Sequence, residues 1–111
     1  MKTLYILWTT DNVLTCKNMV FMYATNSKLH GWWDDVCVII WGASAKLAAE
    51  NDDIKELIAI AKHAGVRFSA CVACARQLGV SEALEAQGIE ILPWGQKLTE
   101  LIQNGEKLIS I

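Results

Sequence analysis

Apolar residues fall along this chain in short runs separated by polar turns, and the runs alternate between two periods. Thr3 to Trp8 is a short apolar run that reads as a buried strand, and Thr9-Thr10-Asp11 is its turn. From there to about Leu29 the spacing is helical: Val13, Cys16, Val20 and Ala24 share one face, with Asp11 as the expected N-cap. Leu14, Met19, Phe21, Met22 and Tyr23 widen that face, which predicts a helix covered on two sides, by the core or by another subunit. Val36 to Trp41 is continuous, apolar and rich in β-branched residues, the pattern of a central parallel strand. Cys37 in its middle, and Cys16 on the first helix, are assigned to the core. A short helix is expected over 45–50. Asn51-Asp52 starts another, with Ile54, Leu57, Ile58 and Ala61 as its buried stripe and Gly65 as its stop. The second half repeats the alternation: strand 66–70, helix 72–78 stopped by Gly79, a Ser81-capped helix 82–86, strand 89–92, a turn at Pro93-Trp94-Gly95, a helix marked by Leu98, Leu101 and Ile102, and a last strand 107–111.

Strands alternating with helices imply an α/β fold, a largely parallel sheet between two helix layers. The 111 residues suit one domain, 1–111, with no linker or repeat. Open sheets of this kind gather function at the carboxyl ends of their strands. Those ends are Trp8-Thr9-Thr10, Trp41-Gly42, Cys71 and Pro93-Trp94-Gly95, so three tryptophans and a cysteine share one edge. Trp8, Thr10, Trp41, Ser44 and Trp94 are therefore the candidates to line a substrate site around a sulfur; bulky rings that merely close the core are the alternative. Trp32-Trp33 precede their strand at the opposite edge and read as core or interface anchors.

Composition narrows the classes. With 53% apolar and 20% charged residues the chain can build a core. A net charge of −2 without a basic patch argues against nucleic-acid binding. The apolar run near Met1 is cut short by Thr9-Thr10-Asp11-Asn12, too early for a signal sequence, and no run reaches the ~20 residues that span a membrane. Four cysteines without a secretory signal point to reduced thiols and a cytoplasmic location.

The chemistry centres on Cys71 and Cys74, spaced C-x-x-C across the change from strand to helix. A helix start presents unpaired N–H groups and partial positive charge, which suit an anionic sulfur. Packing as small hydrophobes is the other reading of the same residues. Arg67 and Arg76 could attract anionic donors or be solvated surface residues. One C-x-x-C supplies two metal ligands where structural zinc wants four, so no metal and no cofactor is expected, unless subunits share a site. The intervening Val72-Ala73 lack the proline usual in thioredoxin-like motifs, yet a dithiol–disulfide oxidoreductase remains an alternative, as does an oligomeric binding module without chemistry.

Around Cys71-Val72-Ala73-Cys74-Ala75-Arg76-Gln77-Leu78-Gly79-Val80 the sequence resembles the DsrE/DsrF-like sulfur-relay family, whose relatives include TusD. Segments 38–47, 84–90 and 98–109 are similar too. The resemblance implies a three-layer α/β/α sandwich with five parallel strands ordered 4-3-2-1-5. It also implies a homo-oligomer, trimeric or hexameric, with sulfur donor and acceptor proteins or small persulfides as partners. On that analogy Cys71 accepts sulfur as a persulfide. Cys74 departs from the pattern, since sulfur-relay members carry a small residue there, and it becomes a possible resolving thiol.

Overall fold

The computed structural model describes residues 1–111. Strand β1 (Thr3–Trp8) alternates: Leu4, Ile6 and Trp8 are buried, while Tyr5 and Leu7 on the other face are half-buried. Strand β2 (Asp35–Ile40) is buried from Val36 onward, as its unbroken apolar run predicts. With β3 (Arg67–Cys71), β4 (Glu90–Leu92) and β5 (Lys107–Ser110) they form one parallel sheet in the order β4-β3-β2-β1-β5. This is the order that the family resemblance implies.

That order dictates where the helices go. The chain steps from β1 to β4 in one direction across the sheet, and right-handed crossovers then place every connecting helix on the same face. These are α1 (Val13–Thr15), a π-helical segment (Cys16–Phe21) that continues into α2 (Met22–Leu29), α3 (Ala43–Glu50), α4 (Asp52–His63), α5 (Val72–Gln77) and α6 (Ser81–Glu85). Their apolar side chains join Leu4, Ile6, Trp8, Val36, Val38, Ile40, Phe68 and Ala70 in the main core. The return from β4 to β5 runs the other way, so α7 (Trp94–Gln103) lies alone on the second face. Cys37, Ile39, Cys71 and Trp94 form a small second cluster there.

Three local expectations change. Asn12, not Asp11, caps the first helix: its Oδ1 accepts the Thr15 N–H at 2.9 Å, and Asp11 stays exposed. Ser81 lies inside α6, and Val80 occupies the cap without a side-chain bond. Trp94-Gly95 is not a turn but the first residues of α7, with Pro93 before them. Proline suits a helix start because its missing N–H would be unpaired there.

The π-helical segment has a packing reason. A π turn stacks residues five apart, where an α turn stacks residues three or four apart. Cys16 and Phe21 are five apart and both meet Trp8. The Trp8 Nε1–H donates to Cys16 Sγ at 3.1 Å, and the Phe21 ring meets Trp8 edge-on at 5.2 Å. No helix is long and apolar enough to cross a membrane.

Candidate functional site

Strand β3 alternates its side chains between the two faces. Phe68 and Ala70 enter the main core; Ser69 and Cys71 face α7. Cys71 is the last residue of β3 and the cap of α5, with extended backbone, and only 4% of it is exposed. It packs with Cys37, Ile39 and Trp94. The helical turn that follows swings Cys74 out of that enclosure. Cys74 touches the same cluster but is half-buried, and its Sγ accepts the Gly42 N–H at 3.4 Å. The pair thus consists of one shielded sulfur and one at the rim. All four cysteines are free thiols.

Cys74 lines a cleft of about 800 Å³ between α3 and α5 at the carboxyl rim. Its walls include Gly42, Lys46, Leu47, Glu50 and Leu78, with Asp11 from the loop after β1. In this strand order the direction of travel reverses between β1 and β5, where a ligand crevice is expected. That position is filled: the Ile111 carbonyl accepts N–H bonds from Thr9 and Thr10, and the Ile111 N–H bonds to Leu7. The open space lies instead over the ends of β2 and β3.

The five residues expected to line a substrate site do not surround one pocket. Trp8 is wholly buried among the helices of the first face, and Trp94 is buried on the opposite face. The Trp94 Nε1–H donates to Ser69 Oγ at 2.7 Å, and that hydroxyl donates to the Glu90 carbonyl at 2.9 Å. Trp41 is half-buried against the second cluster. Ser44 is buried; its Oγ donates to the Trp8 carbonyl at 2.6 Å and accepts the Trp41 N–H at 3.2 Å, clasping the ends of β1 and β2. Thr10 spends its hydroxyl on the Asn12 N–H and its carbonyl on the Cys16 thiol. Only Cys74 of the named candidates opens onto the cleft.

The other titratable groups explain themselves locally. Arg67 lies at the amino end of β3, away from the cysteine pair, and clamps Asp35 through two hydrogen bonds of 2.9 and 2.6 Å. Those bonds hold the Asp35 carboxyl below its usual range. Burial pushes the Cys37 thiol up to about 11 and raises Cys16 and Tyr5. Within the chain, no three His, Cys, Asp or Glu side chains converge as a metal set.

The sheet order defines a parallel α/β protein, with a two-cysteine motif at the rim of β3. The model of the DsrE/DsrF-like family matches residues 10–111, and the chain belongs to that family. A conserved protein of unknown function from Bacteroides thetaiotaomicron, BT1422, is 43% identical; the match covers 99% of this chain and 95% of that one, with a TM-score of 0.97. MTH1491 from Methanobacterium thermoautotrophicum, also of unknown function, is 15% identical over the whole of both chains, with a TM-score of 0.75, and shares the fold. No curated protein matches the sequence.

Proposed function

We propose that this protein is a sulfur carrier in which Cys71 holds sulfane sulfur as a persulfide and Cys74 is the thiol through which sulfur reaches it. One observation carries the reading: at the end of β3 a shielded cysteine and a cleft-facing cysteine touch the same side-chain cluster. A persulfide needs protection from water and stray thiols, and a buried sulfur among Cys37, Ile39 and Trp94 has it. Loading needs access, and Cys74 has that. The Cys74 thiolate attacks the outer sulfur of a donor R–S–SH; the donor S–S bond breaks, R–S⁻ leaves and takes up a proton. The Cys71 thiolate then takes the same sulfur from Cys74–S–SH, and the Cys74 thiolate returns. Neither exchange changes the net redox state, and neither needs a metal or a separate base.

Intact-protein mass spectrometry after incubation with cysteine persulfide, and in parallel with glutathione persulfide, tests it. The expected result is a gain of one sulfur, mapped to Cys71 in the wild type, stranded on Cys74 in Cys71→Ser and slowed in Cys74→Ser. No sulfur adduct in the wild type overturns the proposal. A loss of two hydrogens in its place assigns the pair to dithiol–disulfide exchange.

The proposal includes self-association and a cytoplasmic location. What supports self-association is the second face of the sheet. Five strands span about 19 Å between outer axes, whereas α7 is a single helix about 10–12 Å across. A groove of about 730 Å³ remains along Tyr5, Cys37, Arg67 and Leu101.

A further inference from the structure

The cleft beside Cys74 has a charge pattern that the carrier reading does not use. Asp11, Lys46 and Glu50 line it, all three exposed, and none of them has an ion-pair or side-chain hydrogen-bond partner. The chain's ion pairs lie elsewhere, at Lys17–Asp53 and Arg67–Asp35. Leu47 and Leu78 give the cleft apolar wall, and the Gly42 N–H fixes the Cys74 sulfur at its edge. Two carboxylates and one ammonium therefore border a reachable thiol.

We propose that this cleft takes an amino-acid-type thiol derivative, a small molecule bearing an ammonium and a carboxylate near its sulfur. Lys46 meets the carboxylate, Asp11 and Glu50 meet the ammonium, and the ligand sulfur lies against Cys74. The surplus carboxylate in the cleft repels small inorganic dianions such as thiosulfate, while a zwitterion satisfies both signs. This names the donor class for the carrier reading, on which its physiological meaning rests.

Disulfide exchange tests the cleft without requiring sulfur transfer. The Cys74 thiolate attacks a small disulfide R–S–S–R; Cys74–S–S–R forms and R–S⁻ leaves, so atoms and electrons balance. The probes are cystine, which is zwitterionic at each half, cystamine, which is dicationic, and dithiodiglycolate, which is dianionic. Each rate at Cys74, mapped by peptide mass spectrometry, is divided by the same reagent's rate with the denatured protein. Cystine is expected to be preferred over each of the other two by about fivefold, the upper end for one solvent-exposed charge pair. Lys46→Glu should abolish the preference over cystamine, and Asp11→Asn with Glu50→Gln should abolish the preference over dithiodiglycolate. All three positions are exposed, so unchanged melting curves are expected to accompany these losses. Normalised rates within twofold of one another, a preference indifferent to the variants, or a Cys74 that none of the probes modifies would overturn the proposal. Because the probes carry no sulfane sulfur, a failed persulfide experiment with an intact cystine preference removes the carrier reading and leaves the cleft assignment standing.

Discussion

The burial of each thiol separates four residues that look alike in the sequence. Cys16 and Cys37 lie inside and serve packing: Cys16 bridges Trp8 and the Thr10 carbonyl, and Cys37 fills the middle of β2. The raised position of Cys37 has a consequence for stability. Between its ordinary 9.0 and about 11 the unfolded chain releases a proton that the folded chain keeps. Its contribution is whole below pH 9 and is lost as pH rises to 11, amounting to about 2–3 kcal/mol. Cys16 and Tyr5, also raised, act in the same direction. Denaturant titrations from pH 8 to 11 should show stability falling through this window, with a shallower fall in Cys37→Ala. An equal slope in that variant would refute the assignment to Cys37. Both core cysteines are legible in the sequence because each sits in an apolar pattern. The unequal exposure of Cys71 and Cys74 is not, since both flank the same strand–helix change and only the turn decides which way each points.

Among the elements, α7 depends on one residue. Trp94 is the only buried side chain of that helix, and its indole anchors the helix to β3 through Ser69. Trp94→Phe keeps most of the ring but loses the hydrogen bond, and should cost about 1 kcal/mol. Trp94→Ala also opens a cavity and should cost about 3–5 kcal/mol. Urea unfolding of the two variants checks the order; equal losses would mean that the hydrogen bond rather than the ring holds the helix. The sequence pattern misplaces this helix start because Pro-Trp-Gly carries turn chemistry, and local propensity yields to the burial of the ring. The clasp at Ser44 is hidden for a similar reason: a serine after Gly-Ala reads as turn, and its bond to Trp8 spans 36 residues.

At the scale of the molecule the sheet is unevenly covered. Six helices and the π-helical segment serve one face, and α7 alone serves the other. If copies of the chain associate through that thin side, sedimentation velocity at tens of micromolar should show a species larger than the monomer. Leu101→Lys, in the groove, should shift it to the monomer, while Ile60→Lys on the outer side of α4 should not. A wild-type monomer boundary would remove the self-association proposal.

Most of the architecture was determined by sequence alone, because it is written in local periods. Alternation of apolar runs with helical stripes implies parallel strands and crossovers, and the C-x-x-C marks the end of β3. The residues from Cys71 to Val80 carry a family resemblance that the match over 10–111 bears out. Tertiary structure alone decided what meets what. It placed Trp8 and Trp94 on opposite faces, filled the β1–β5 crevice with Ile111, and brought Gly42, Lys46 and Cys74 to one cleft. Those outcomes depend on which face a strand residue points to and on contacts between residues far apart in the chain. A pattern with a period of two or 3.6 residues encodes burial, but not the partner on the other side.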